Sequence, residues 1–407
     1  MISVEEAKAL VSKHVQTLPT HVLGLNEGHG FVLATDVIAG IDMPPFPQSA
    51  MDGYALGAPL HASTSSARST AQDDSLSEGS TFSIIGEVAA GSAQQFNLKP
   101  DECVRIFTGA PVPESAAAVV QQEWIKRNGD VITLQKSVAN RMHIRPQGEQ
   151  MKSRDVALRK GTLLNAAAIG FLAMIGVIEV EVYYKPKVAV LVTGNELVKP
   201  GTTLSYGQIY ESNSVMLIAA LESEGIKAEC LAIPDDFEKT KTAISDAMVT
   251  CDLLIISGGI SVGDYDYVGA ALVELGTEEL FYKVKQKPGK PLYFGKINKN
   301  LVFALPGNPA ASLSCYYEYV RTAIRRMQQH PKPEQTTLRL PLASNFINKG
   351  GRSQFLKAKI VDSKVELLDG QSSAMLSTFA VADALVYIPS EISQLGAGKM
   401  VEVHLLT

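Results

Sequence analysis

The chain has 407 residues, of which 46% are apolar and 19% charged, a composition that excludes disordered, fibrous and collagen-like classes. At roughly 100 to 200 residues per domain it has room for two to four domains, each with its own core. Its 37 Lys and Arg against 42 Asp and Glu give a net charge of −5, which argues against a dedicated nucleic-acid binder.

The opening Met1-Ile2-Ser3-Val4-Glu5-Glu6-Ala7-Lys8 lacks the basic and apolar regions of a signal peptide and reads as a mature start. Residues 4–18 carry apolar side chains at helical spacing, and residues 32–37 alternate like a short strand. Asp42-Met43-Pro44-Pro45-Phe46-Pro47 cannot continue a helix and marks a crossing into a second domain. Residues 62–80 are mostly Ser, Ala, Thr and Asp with almost nothing large to bury, which predicts a mobile surface insertion. Between residues 81 and 140, short β-like runs alternate with Gly, Pro and Asn turns and predict a compact β-rich domain. The apolar stretch 166–178 falls short of the roughly 20 residues that cross a bilayer and reads as a buried helix.

From Lys187 onward, apolar strands at residues 188–192, 229–233, 253–256 and 301–304 alternate with helices at 213–224, 239–249, 267–275 and 310–327. Strands that are apolar throughout predict a parallel sheet covered on both faces. After His330-Pro331-Lys332-Pro333, short alternating segments fit a small β-barrel. The fold class expected is therefore α/β and β multidomain. A discontinuous linker domain (residues 1–45 and 141–182) receives a β-rich insertion (46–140), followed by the α/β domain (183–328) and the barrel (329–407). The four cysteines, Cys103, Cys230, Cys251 and Cys315, are too far apart for a disulfide framework or a CxxC metal site, which points to a reducing cytoplasm.

In an open parallel sheet, ligands bind beyond the carboxyl ends of the strands. Here those loops carry Thr193-Gly194-Asn195-Glu196, then Pro234-Asp235-Asp236, then Ser257-Gly258-Gly259-Ile260-Ser261-Val262-Gly263-Asp264-Tyr265-Asp266, then Leu305-Pro306-Gly307-Asn308-Pro309. The third is either a phosphate-binding loop, with backbone N–H groups and hydroxyls turned to an anion, or a tight strand-to-helix turn. It matches neither the GxGxxG fingerprint nor a Walker A loop. Lys287-Pro288-Gly289-Lys290-Pro291 offers two ammonium groups to a polyanion, unless it is a solvated basic turn. Glu196, Asp235 and Asp266 supply hard oxygen atoms of the kind Mg²⁺ takes, although each could equally cap a helix. In the second domain, Asp52 and Thr108 sit in turns where each could bond its own backbone.

Taken in order, Ser49-Ala50-Met51-Asp52-Gly53-Tyr54-Ala55, Thr108-Gly109-Ala110-Pro111-Val112-Pro113, Thr193-Gly194-Asn195-Glu196-Leu197, the 257–267 loop, Lys287-Pro288-Gly289-Lys290-Pro291 and Leu305-Pro306-Gly307-Asn308-Pro309 resemble the molybdopterin molybdenumtransferases, the MoeA proteins and the related E domain of gephyrin. The resemblance covers essentially the whole chain. It implies insertion of molybdate into adenylylated molybdopterin with release of AMP, helped by Mg²⁺, in a cytoplasmic homodimer whose active site is shared between subunits. It implies catalytic roles for Asp52, Thr108, Glu196, Asp235 and Asp266, the last three also holding the metal. Thr193, Gly194, Ser257, Gly258, Gly259, Ser261, Gly263, Lys287, Lys290, Pro306, Asn308, Pro309, Arg352 and Ser373 would bind the pterin nucleotide. Asp52 and Thr108 would reach the cleft from the other subunit. A molybdopterin adenylyltransferase and molybdoenzymes would be its partners, with neither nucleic acid nor membrane involved. The sequence departs from the family's pattern at Gln150 and Glu211, where Asp is usual. Those departures are expected to alter efficiency more than to abolish activity, although they also suit a scaffold that keeps the fold for binding. A pyrophosphatase-like or deamidase enzyme would account for residues 187–328 but not for Asp52, Thr108 or the barrel.

Overall fold

Apolar residues occupy both faces of the central strands after residue 187, and the fold follows from burying both faces at once, whereas the edge strand Ala228–Ile233, expected to be covered too, stays largely exposed. The computed structural model describes residues 1–58, 76–260 and 267–406. It forms two compact units, Met1–Thr35, Lys160–Ala167 and Glu179–Thr407 in the first, Asp36–Arg159 and Ala168–Ile178 in the second.

In the first unit, six strands, β1 (Val188–Thr193), β2 (Ala228–Ile233), β3 (Leu253–Ser257), β4 (Glu278–Tyr282), β5 (Tyr293–Ile297) and β6 (Asn300–Leu305), form one sheet in the order β2-β1-β3-β6-β5-β4. The first four in that order are parallel, as the sequence predicts, and β5 and β4 extend the sheet antiparallel. Successive side chains alternate between two cores. Val190, Val192, Leu253, Ile255, Leu301 and Phe303 join α1 (Val4–His14) and α2 (Asn213–Ser223) on one face. Leu191, Leu254, Ile256, Val302 and Ala304 join α3 (Phe237–Thr250) and α4 (Tyr267–Glu274) on the other. Helix α1 starts at a capping box, Glu6 N donating to Ser3 Oγ and Ser3 N to Glu6 Oε2, and ends at His14 rather than at Leu18. Of the strand expected over residues 32–37, Val32 and Leu33 make single bridges to Leu163 and Val182, and Val37 begins a two-residue strand, Val37–Ile38, paired with Val156–Leu158.

The last helical run begins with Pro309 as α5 (Pro309–Cys315) and passes through a π-helical turn, Tyr316–Val320, into α6 (Arg321–Met327). That turn holds Glu318 inside the core. Lys8 Nζ from α1 donates to Glu318 Oε2 at 2.6 Å, and His404 Nδ1 lies 2.8 Å from Glu318 Oε1, while His404 Nε2 lies 2.9 Å from Glu402 Oε1. Three distant segments thus meet on one carboxylate.

The C-terminal part is an antiparallel sheet of β7 (Thr337–Pro341), β8 (Ser353–Val361), β9 (Lys364–Leu367), β10 (Ala384–Ile388) and β11 (Met400–Leu405) in the order β9-β8-β10-β11-β7. Leu342, just past β7, bridges to Val365 in β9 and brings the two edges together around Leu356, Val386 and Val403.

In the second unit, Ala116–Gln121, Gly53–Gly57, Glu102–Ile106, Thr81–Val88, Val131–Leu134 and Ile125–Asn128 pair in that order. Most of the expected insertion, residues 62–75, lies outside the described residues. Its last part is not loose: Leu76 is buried and exchanges both backbone hydrogen bonds with Val138, because the one large apolar residue of the stretch finds a core. The apolar helix, Ala166–Met174, buries only Ala168 and Leu172, and Met174 and Ile178 remain exposed. It is therefore a half-covered helix rather than the buried one predicted. Among the described residues no helix is long and apolar enough to cross a membrane.

The Glu318 cluster makes stability depend on pH in two windows. Burial alone would raise the Glu318 carboxyl, but Lys8 and His404 outweigh it and hold it at about 2. A carboxyl held below its ordinary 4.5 contributes stability that is full above that value and is lost as pH falls toward 2. Burial opposes charging of His404, yet Glu318 raises its pKa above 6.5, so its contribution is full below 6.5 and disappears as pH rises through the folded value. Urea unfolding at a series of pH values should show Glu318→Gln losing about 3 kcal/mol less than the unaltered chain between pH 5 and pH 2.

Candidate functional site

Strands β1, β2, β3 and β6 end at one level. Thr193 stands opposite Ile233, Val192 opposite Ser257, and Ser257 opposite Leu305, so the four following loops leave the sheet together. The strand order turns back between β1 and β3, the place where an open sheet forms its crevice. A cleft of about 720 Å³ opens there. The β1 loop contributes Thr193, Gly194 and Glu196, the β2 loop Asp235, the β3 loop Ser257, Gly258 and Gly259, and the β6 loop Pro306, Asn308 and Pro309. Ser261, Gly263 and Asp266 lie outside the described residues.

The loops are braced against one another. Asn195 N donates to Asp235 Oδ2 at 3.1 Å and Asp235 N to Asn195 Oδ1 at 3.0 Å, which ties the β1 loop to the β2 loop. Helix α3 is capped by Asp236, whose carboxylate accepts from Lys239 N at 2.9 Å. The cap is thus Asp236, and Asp235 faces the cleft. At the start of α2, Asn213 Nδ2 donates to Ser257 Oγ at 2.9 Å and to Gly307 O at 2.7 Å, joining the β3 and β6 loops beneath the cleft. Gly258 and Gly259 have φ of +95° and +62°, and a Cβ on Gly259 would stand 2.7 Å from Val268 Cγ2 and 2.9 Å from Thr193 Oγ1. The loop admits no side chain there and brings its backbone to the cleft wall.

A second pocket of about 260 Å³ shares Pro291, Pro306 and Asn308 with the cleft and gathers Lys287, Lys290, Arg352 and Ser373. Its geometry comes from the barrel: Gln286 and Lys287 pair in parallel with Ser353 and Gln354 of β8. The buried Gln286 side chain donates to Gly289 O at 3.1 Å and accepts from Tyr319 Oη. Gly289, at φ +84°, lies so close to Cys315 that an added Cβ would be 2.5 Å from its Sγ. Asn308 Nδ2 donates to Ser373 Oγ at 2.9 Å. Both lysines, Arg352 and Ser373 therefore share one pocket.

Sequence reasoning did not place Asn213, Tyr210, Ile209 or Glu211 in the site, and all four line the cleft. Glu211 accepts from Ser214 N at 2.9 Å and from Ser214 Oγ, capping the first turn of α2. Its sequence signal was the spacing Glu211-Ser212-Asn213-Ser214 ahead of an apolar helix. Among the described residues no three His, Cys, Asp or Glu side chains are gathered as a metal-binding group.

Asp52 and Thr108 belong to the second unit. Gly53 stands opposite Ile106 across adjacent strands, which sets Asp52 beside the turn after Ile106. Thr108 N and Thr108 Oγ1 each donate to Asp52 Oδ1 at 2.8 Å, so the two residues bond to each other. These hydrogen bonds hold the Asp52 carboxyl below its usual pKa, with a smaller contribution from Arg105. Gln150 is exposed, and its backbone N–H donates to Met43 O at 2.9 Å.

Three regions of the chain match known families. Residues 2–176 match the MoeA N-terminal region (domain I and II), residues 189–326 a probable molybdopterin binding domain, and residues 339–406 the MoeA C-terminal region (domain IV). The chain is 32% identical to molybdopterin molybdenumtransferase 2 of Mycobacterium tuberculosis, covering all of both proteins. It is also 32% identical to the molybdopterin molybdenumtransferase of Haemophilus influenzae, over 99% of this chain and 98% of that one. A crystal structure of the molybdopterin biosynthesis MoeA protein from Pyrococcus horikoshii superimposes with a TM-score of 0.80 at 29% identity, over 100% of this chain and 99% of that one. Fold and matched regions define the class of multidomain molybdopterin-biosynthesis proteins built round a largely parallel α/β sheet. The chain belongs to the molybdopterin molybdenumtransferase family.

Gly259→Ala should lower stability by about 1–2 kcal/mol, from the left-handed backbone and the Val268 contact. Thermal unfolding would register it as a lowered midpoint.

Proposed function

We propose that this chain inserts molybdate into adenylylated molybdopterin with release of AMP, in the last step of molybdenum cofactor biosynthesis. The observation that carries the reading is the joining of two pockets. A cleft with a glycine loop and the carboxylates Glu196 and Asp235 shares a wall with a pocket holding Lys287, Lys290 and Arg352. An adenylylated pterin is a long polyanion, and such a ligand needs cations at its phosphates and backbone donors along its length.

Lys287, Lys290 and Arg352 would offset the phosphate charge, Arg352 through its planar fork and the lysines as point charges. Ser257 and the N–H group of Gly259 would orient the bound molecule, the Gly258 N–H being held by Leu305 O at 3.2 Å, and Pro306 and Pro309 would limit its freedom. Glu196 and Asp235 are hard oxygen donors that fit Mg²⁺, and in this reading they hold it together with Asp266. When bound, that cation would draw charge from the phosphoanhydride as AMP departs. Asp52, kept ionised by Thr108, would enter the cleft of a neighbouring subunit of a homodimer. The exposed Met174 and Ile178 at the end of an apolar helix are the kind of surface a partner subunit covers. The cleft then draws on residues 183–328, with Arg352 and Ser373 from 329–407 and Asp52 and Thr108 from 46–140 of the partner. The setting is cytoplasmic, with a molybdopterin adenylyltransferase upstream and molybdoenzymes as recipients.

Purified protein given adenylylated molybdopterin, molybdate and Mg²⁺ should release AMP, and Asp52→Ala or Asp235→Ala should each reduce the rate by about 10². Undiminished release by both variants would rule this site out. Because the site is shared, mixing the two inactive variants should create heterodimers with one intact site, regaining up to about half the activity per dimer. Sedimentation of a strictly monomeric chain, or no recovery on mixing, would exclude the shared site.

A further inference from the structure

Lys357 lies in β8 with 3% of its surface exposed. Its ammonium donates to Gly370 O at 2.7 Å, Met375 O at 2.9 Å and Ser372 O at 3.2 Å. An ammonium has three N–H donors, and here all three are spent on one turn of chain. The lysine backbone grips the same turn, Lys357 N donating to Gln371 Oε1 at 3.0 Å and Gln371 Nε2 to Lys357 O at 2.8 Å.

That turn carries Ser373. Ser373 O accepts from Ala311 N at 3.1 Å, and Ser373 Oγ accepts from Asn308 Nδ2 at 2.9 Å, so the turn is docked on the loop and helix that follow β6. Leu367 and Leu376 pack against the cores at the two ends of this segment, but between them, from residue 368 to residue 375, no side chain is buried. Three carbonyl dipoles converging on one point repel one another unless a cation sits among them. A buried ammonium without water in turn needs all three acceptors.

We propose that Lys357 is a positioning residue for Ser373, closing the 370–375 turn so that the hydroxyl meets Asn308 in the pocket that binds the anionic substrate. The inference rests on reading the pocket of Lys287, Lys290 and Ser373 as part of the transferase site. Lys357 touches no substrate. It acts by removing the freedom of a polar turn before the ligand arrives, which places its effect in affinity and orientation. Arginine is no substitute, since its planar fork cannot aim three donors at converging carbonyls.

A double-mutant cycle on AMP release tests this. In the unaltered chain, Ser373→Ala should lower kcat/KM by about tenfold, as loss of one charge-neutral hydrogen bond to the substrate does. Lys357→Met should lower it by a similar factor, chiefly through KM, and Ser373→Ala added to Lys357→Met should cost less than about twofold more. If Lys357→Met gives no cooperative melt, the cycle is run on Lys357→Arg, for which the same loss of coupling is expected. A full tenfold cost of Ser373→Ala in both backgrounds overturns the positioning role and leaves the site reading standing. A silent Ser373→Ala in the unaltered chain overturns the site reading and this proposal with it.

Discussion

Everything polar in the first unit is governed by a sheet that has no room for polarity along its central strands. Leu253, Leu254, Ile255 and Ile256 are all fully buried, with successive side chains in opposite cores. A hydrogen-bonding side chain placed midway along such a strand would lose its water without gaining a partner. The first positions that accept one are the carboxyl ends, Thr193 and Ser257, and from there outward the chain carries its chemistry. Because four parallel strands are in register, those ends coincide, and a steric rule about strand interiors becomes a cleft.

What the register brings together, side-chain amides hold in place. Asn213 joins distant segments as a double donor, Asn195 as an acceptor from Asp235 N, and Gln286 as both donor and acceptor. Loops are the most mobile part of a fold, and a site built on them is rigid only where such bonds reach back to helices and strands. Gln286 illustrates the economy of the arrangement: its backbone pairs with β8 while its side chain fixes Gly289 and meets Tyr319, so the Lys287 loop takes its shape from barrel and helix together.

The strands and the strand-end motifs were legible because they depend on local pattern. An unbroken apolar run has one stable destination, and glycine or proline at a strand end restricts the backbone that follows. The parts that were not legible depend on partners far along the chain. Strands β4 and β5, with Glu278, Glu279, Lys296 and a central glycine, lack the apolar continuity of the parallel strands and become strands because β5 pairs with β6 and β4 with β5. Adjacent Asp235 and Asp236 look alike in sequence, and only the entry angle of α3 decides that one caps the helix and the other faces the cleft. Residues 166–178 are apolar enough to suggest burial, but hydropathy does not say how much of a helix its own chain covers. Lys357 offered no signal, since a lysine in an alternating strand is ordinarily a solvated side chain.

The separation of charge across the shared wall of Pro291, Pro306 and Asn308 follows from where each group is anchored. Carboxylates Glu211 and Asp235 sit just before the starts of α2 and α3, where the helix dipole and backbone N–H groups favour negative charge, and Glu196 joins them from the turn after β1. The cations Lys287, Lys290 and Arg352 sit where the barrel strand β8 meets the loop after β4, in a pocket that the start of α5 also lines through Asn308 and Ala311. Had the two signs been interleaved, they would have neutralised one another as ion pairs and left little field for a ligand. Kept apart on elements of different character, they leave one of the two joined pockets acidic and the other basic, and such a gradient favours one orientation of any anion that spans both.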